Sequence, residues 1–339
     1  MILKTKMDKY DAKETSVALS AYLNKRVRAF NIGANVAVDI NNVQGTNTLG
    51  SNTTKNSFAT LNPYIRFKGD NYAVTLGANF VPEFGDSSSF NIFPSAEVDF
   101  ALAPEYFHIF GVSKASYRDF ARENPFLGPN LAIQNTIERL NFYGGIKGNA
   151  GATFGYKVKA IYRQLEGMPL YVNNAETPFR FDLVYDGDGD KAVKHFGIEG
   201  EINVRLSEIV NLGGRLNIDQ YTMAQQEEAW HIPKLRLAAN ARFNISEKLY
   251  IDAEALFHGV TYAKDWDDYD PQNAMGNPPT FARAEIPSFV DVSAGAEYKA
   301  TKQLGLFVKA NNLFNNEYQT YLYYPKLGFN IIGGLNFSF

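Results

Sequence analysis

The chain has no cysteine, so no disulfide braces it. Its four histidines are scattered and have no thiolate company, which leaves no zinc-ligand spacing. No run of 18 apolar residues occurs, which excludes a membrane-spanning helix. A net charge of −3 and a pI near 5.9 give no electrostatic reason to expect nucleic acid as a partner. There is no phosphate loop and no G-x-S-x-G element. By strand alternation His195 and His258 point inward, His231 falls in a loop, and His108 is the candidate for the outward face, beside the short 103–105 turn with no serine–acid pair next to it. No catalytic residue, metal site or cofactor is therefore expected, and the chain does not read as an enzyme. The opening M-I-L-K-T-K-M-D-K-Y-D has neither the apolar core nor the small-residue cleavage site of a secretory signal.

What is present is alternation. The last twelve residues read G-F-N-I-I-G-G-L-N-F-S-F. Phe329, Ile331, Gly333, Leu335, Phe337 and Phe339 share one face, and Asn330, Ile332, Gly334, Asn336 and Ser338 share the other. A strand with lipid on one side and water on the other needs this period of two. The pattern recurs at Phe30–Ile40, Tyr72–Phe80, Phe154–Tyr162, Phe196–Leu206, Leu235–Phe243 and Val290–Tyr298, with weaker copies between. Aromatic residues reach 14%, with 20 Tyr and 26 Phe, an excess that suits the two interfacial girdles of a barrel. The expected fold is all-β: an antiparallel transmembrane outer-membrane β-barrel, multi-pass, with membrane lipid as its first partner.

Connections fall into two alternating classes. Short turns are expected at 24–26, 69–71, 103–105, 148–150, 207–208, 246–247 and 300–301, and long outer loops at 41–56, 82–91, 116–136, 164–193, 222–232, 262–285 and 314–327. Phe179–Tyr185 looks like a strand, but counting it as a crossing would invert every later turn, so it is assigned to the 164–193 loop. About fifteen crossings remain, against an even number in bacterial barrels. Residues 1–13 then lie in an extracellular loop, and residues 1–339 read as one barrel domain, the C-terminal part of a longer chain.

Val308 to Tyr321, V-K-A-N-N-L-F-N-N-E-Y-Q-T-Y, precedes Tyr324-Pro325 and the terminal strand. This stretch resembles the C-terminal signature of TonB-dependent outer-membrane receptors, with Asn312, Leu313, Phe314, Asn315 and Tyr318 on the matching positions. Gly328-Phe329 stands where that family commonly has Gly-Arg. The resemblance implies a 22-stranded Gram-negative outer-membrane barrel of which this chain supplies about fifteen strands. It also implies an N-terminal plug domain lying outside this chain, coupling to TonB through that plug, and import of a scarce ligand such as an iron chelate, a cobalamin-like compound or a glycan. The alternatives are a passive porin-like channel and a structural barrel that docks a partner such as a surface lipoprotein. By the same resemblance, Phe337 and Phe339 would be read by the barrel-assembly machinery; they also fit an inner aromatic girdle.

Alternation places charges of both signs on the lumen face: Arg66, Arg139, Lys157, Lys159, Glu199, Glu201, Arg205, Arg215, Asp219, Arg236, Arg242, Asp252, Glu254, Asp291 and Glu297. They serve either as a surface toward a plug or solute, or as a mutually paired lining. Trp230, Trp266 and Tyr269 fall in outer loops and are candidates for ligand contact. Asp186-Gly187-Asp188-Gly189-Asp190 starts like a calcium loop but has Lys191 and Gly197 where glycine and glutamate are required, so a flexible acidic tip is expected. The denser Asp265–Asp270 cluster reads as a solvated loop, with calcium as the alternative.

Overall fold

The computed structural model describes every residue except 8–12, 48–49, 105, 119–134, 189–190, 267–280 and 339. In chain order the strands are β1 (Ile2–Met7), β2 (Lys13–Val27), β3 (Phe30–Asn47), β4 (Gly50–Lys68), β5 (Tyr72–Gly85), β6 (Ser89–Ala103), β7 (Phe107–Arg118) and β8 (Thr136–Ala150). There follow β9 (Phe154–Glu166), β10 (Met168–Asn173), β11 (Phe181–Asp186), β12 (Val193–Arg205), β13 (Val210–Thr222), β14 (Leu235–Asn244) and β15 (Leu249–His258). The last are β16 (Thr261–Asp265), β17 (Ala282–Ile286), β18 (Phe289–Lys299), β19 (Leu304–Asn311), β20 (Gln319–Tyr321), β21 (Tyr324–Pro325) and β22 (Asn330–Phe337). Sixteen of them form one sheet in the order β1-β2-β3-β4-β5-β6-β7-β8-β9-β12-β13-β14-β15-β18-β19-β22, with antiparallel neighbours throughout. The other six pair as β10–β11, β16–β17 and β20–β21, each a hairpin carried on an outer connection.

Register fixes which side chains meet lipid. Ile202 lies opposite Tyr156 and Gly214, while its neighbour Glu201 lies opposite Lys157 and Arg215. Along the first kind of row the apolar side chains are exposed: Ile32, Leu76, Ile109, Phe142, Val158, Phe196, Leu237, Val308 and Leu335. An exposed apolar belt on one face and charges on the other is the arrangement of a membrane wall.

The structure corrects the sequence reading in three places. Ile2–Met7, expected in an outer loop, form β1 and pair with β2 from Ile2↔Ala18 to Met7↔Lys13, so the wall has sixteen strands where about fifteen were expected. Residues 41–56 are strand on both sides of 48–49, paired from Asn41↔Asn56 to Asn47↔Gly50, and the expected loop 82–91 is likewise strand on both sides of 86–88, with Pro82↔Phe90 and Glu83↔Ser89 paired. Two turns also move: β2 runs on to a turn at 28–29, and β8 to a turn at 151–153. The cause is common to all three. Hydropathy alternation stops where lipid stops, but a hydrogen-bonded ladder continues into water. At ~3.3 Å per residue the 18-residue β3 is roughly 60 Å long, far more than a tilted crossing of the ~25 Å apolar band requires. Phe179–Tyr185 behaves as expected, since Phe181–Asp186 forms the extra-wall strand β11.

Candidate functional site

The outer hairpins do not stand apart from one another. Tyr171 on β10 forms a buried cluster with Val43 on β3, joined by Phe181, Leu183, Tyr185 and Tyr321. β3 and β9 are six places apart in the wall, so a hairpin rooted at β9 has crossed the barrel mouth to reach β3. A second cluster joins Leu165, Met168, Leu170, Val172 and Val193 to Trp230, with Tyr262 and Phe281 packed against it. A third joins Ala263 and Ile286 to Leu322, with Tyr323 against it. Together they form a cap built from all three hairpins and the 223–234 connection.

His231 is the hub of this cap. Its backbone N–H donates to Tyr262 O at 2.8 Å, its Nδ1 lies 3.1 Å from Tyr171 O, and its Nε2 accepts the Leu322 N–H at 3.4 Å. Its ring stacks edge-on to Phe181 at 5.5 Å and tilts against Tyr321 at 5.1 Å. These partners require a neutral ring with the proton on Nδ1. Burial drives the imidazole in the same direction, down to about 4. Burial also raises the phenols of Tyr171 and Tyr321. His231 has φ of 61°, a left-handed conformation uncommon outside glycine.

Asp186 is the second anchor. It is fully buried, and its carboxylate accepts N–H groups from Gly187 at 2.7 Å, Ala224 at 3.1 Å, Gln225 at 2.8 Å and Gln226 at 3.1 Å. The expected flexible acidic tip is therefore, at Asp186, a carboxylate seated in a nest of backbone donors that ties β11 to the 223–234 connection. Sequence reasoning missed it because nothing local marks which aspartate of the run is buried.

The two indoles differ. Trp230 is 1% exposed and donates to Gln226 Oε1 at 3.1 Å, so it is cap core and not an open ligand platform. Trp266 is partly exposed, donates to Asn173 O at 2.7 Å, and has Lys264 Nζ 5.2 Å from its ring. Tyr269 lies outside the described residues, as does Asp267–Asp270 of the acidic cluster. Asp265 is buried and accepts the Tyr323 hydroxyl at 2.8 Å. Among the described residues no group of three His, Asp or Glu side chains is arranged to hold a metal.

Below the cap the lumen face is laddered by ion pairs. Lys159 meets Glu199 at 2.7 Å, Arg215 meets Glu201 at 3.3 Å, Arg242 meets Asp252 at 3.5 Å, and Arg236 meets Asp219 at 3.2 Å. Lys309 reaches over β18, where Gly295 leaves room, to Glu254 at 2.8 Å. Asp219 also accepts from His195 Nε2 at 2.8 Å, and Asp291 accepts the Tyr318 hydroxyl at 2.5 Å. Arg66 stands opposite Asn31 and Thr75. Arg139 sits on a β-bulge and pairs with Glu166, while Glu138 takes the place beside the lumen residue Asn141, at 3.0 Å.

The N-L-F-N motif has a local physical account. Asn312 is 2% exposed; its amide donates to Asn316 O at 2.9 Å and Leu327 O at 3.2 Å, and its oxygen accepts Asn316 N–H at 3.0 Å. Asn315 Oδ1 accepts Phe329 N–H at 2.8 Å. Both residues have positive φ, 49° and 51°, a region asparagine tolerates better than most. Tyr318 stacks on Phe289 at 4.0 Å. The motif thus closes β19 and aims the chain into β22. Phe337 is 64% exposed on β22, and Phe339 lies outside the described residues.

No protein-family model and no curated protein sequence matches the chain. Solved structures do. The chain superposes on the FrpB iron transporter from Neisseria meningitidis (F3-3 variant) with a TM-score of 0.70 at 11% identity, over 96% of this chain and 55% of that one. For the ferripyoverdine receptor of the outer membrane of Pseudomonas aeruginosa the TM-score is 0.66 at 12% identity, over 96% and 48%. For the siderophore receptor PiuA from Acinetobacter baumannii it is 0.63 at 12% identity, over 96% and 56%. The fold is that of the barrel in these proteins, and the chain spans about half the length of the structures it matches.

Proposed function

We propose that the chain is the barrel wall and outer cap of a TonB-dependent receptor that imports a scarce ligand across the outer membrane of a Gram-negative bacterium, with residues 1–339 acting as one barrel domain. The observation that carries this reading is the superposition over 96% of the chain on the barrels of an iron transporter, a ferripyoverdine receptor and a siderophore receptor. The cap supports it, because a mouth crossed by β10–β11 suits a gated receptor better than an open pore. An iron chelate, a cobalamin-like compound and a glycan remain the ligand classes in view. The plug, TonB and the assembly machinery enter as partners of the whole protein, the last through Phe337 and Phe339.

The test uses the full-length protein in its host. Uptake of one of these ligands that is lost equally on deleting the gene or disrupting TonB supports the proposal. Uptake indifferent to TonB, with a steady open conductance in a planar bilayer, would favour a passive channel. No uptake defect, with a surface lipoprotein co-purifying, would favour a docking role.

A further inference from the structure

Across the inner half of the lumen wall runs the cross-strand row His108, Lys147, Lys157, Glu201, Arg215, each directly opposite the next, so that His108 faces the lumen and not outward as the sequence suggests. On this face Lys159, Arg215 and Arg242 each lie directly opposite a carboxylate and pair with it. Here two lysines face each other, an arrangement that destabilises an antiparallel pair. Both ammonium groups lie over the ring of buried Phe110, at 5.5 and 5.6 Å from its centroid. Lys147 is satisfied by Asp99, which also takes His108 Nδ1 at 2.8 Å. Glu201, opposite Lys157, is held by Arg215. Among the described residues no carboxylate pairs with Lys157.

The lysines also border open space. A hollow of about 360 Å³ is lined by His108, Lys147, Lys157, Glu201 and Asn203. An adjoining one of about 230 Å³ has both lysines again, with Arg66, Glu97 and the Asp99 carboxylate that Lys147 already holds.

We infer that Lys147 and Lys157 form an anion site on the lumen wall, accepting a carboxylate or phosphate oxyanion between their ammonium groups. An oxyanion there offsets the like-charge contact and uses the N–H donors of Lys157 that the wall leaves without an acid. The source is either a free solute in the lumen or an acidic side chain of a polypeptide seated there. The site does not depend on which ligand is carried.

The experiment is thermal unfolding of the full-length protein in detergent, titrated with inorganic phosphate at constant ionic strength, for wild type, Lys157→Gln and Lys157→Arg. If the anion is a free solute, phosphate raises the melting temperature of wild type and of Lys157→Arg, and the shift is lost in Lys157→Gln. If it is a polypeptide carboxylate, phosphate has no effect, Lys157→Gln melts lower than wild type, Lys157→Arg does not, and the deficit persists in a Phe110→Leu background. The inference is overturned if Lys157→Gln melts at or above wild type with the same phosphate response, or if its deficit disappears once the Phe110 ring is removed.

Discussion

At the scale of single residues, the cap is held by a few buried polar groups whose alternatives are costly. Asp186 collects four backbone donors, and each bond to a charged acceptor is worth about 1.5–3 kcal/mol, less than additively. Asp186→Ala should therefore loosen the cap by about 2–4 kcal/mol, seen as faster proteolysis of the 168–186 and 223–234 segments while the wall stays resistant. His231 gives the cap a pH dependence. Its folded value lies near 4, below the ordinary 6.5, so the folded form holds fewer protons than the unfolded form between those values. Cap stability should be full above pH 6.5, fall as pH drops toward 4, and level off below, a loss of about 3 kcal/mol. Hydrogen exchange of the cap amides between pH 7 and 4 measures this, and His231→Gln should remove most of the slope. Asn312→Ala leaves backbone groups of a tight turn unpaired and should cost about 1–3 kcal/mol, read as a lower melting temperature.

At the scale of the strand, side-chain parity decides what each position tolerates. Val158 and Lys157 are neighbours on β9 but face hydrocarbon and water respectively. Val158→Arg should cost about 2–4 kcal/mol in a folding titration into bilayers, whereas an arginine in place of lumen-facing Asn203 should cost little. Equal costs would mean that the faces have been misassigned. The bulge at Arg139 shows how locally parity can be reset: one extra residue in β8 brings Glu138 to the lumen side and sends Arg139 to Glu166. The sequence carries a trace of it: Ile137 and Leu140 are three residues apart with Glu138 and Arg139 adjacent between them, so the apolar phase switches at this point.

At the scale of the whole molecule, the wall is uneven in height, with β3 and β4 at 18 and 19 residues against 10 each for β14 and β15. The tall side supplies Val43 as the far abutment for the β10–β11 hairpin, so the cap bridges the mouth from one rim to the other. Replacing 168–186 with a short flexible linker should leave the sixteen-strand wall folded and open the mouth. Single-cysteine labelling at Asn203, on the lumen face, with a reagent applied from outside should accelerate in the shortened protein and stay unchanged if the hairpin does not obstruct the path.

The sequence by itself determined the fold class, the lipid and water faces, the long connections after β7, β9, β13 and β15, and the position of β11 outside the wall, while the outer connections after β3 and β5 proved as short as the turns. All of these follow from a period-two pattern imposed by the bilayer, which acts on each strand separately and so is written locally. The extent of β3 and β4 above the lipid and the strand β1 were not legible, because a ladder in water needs no apolar side. Neither were the choice of Asp186 among several aspartates, the burial of Trp230, and the meeting of Lys157 with Lys147 over Phe110. Those depend on which residues from distant strands arrive together, and only the tertiary structure decided them.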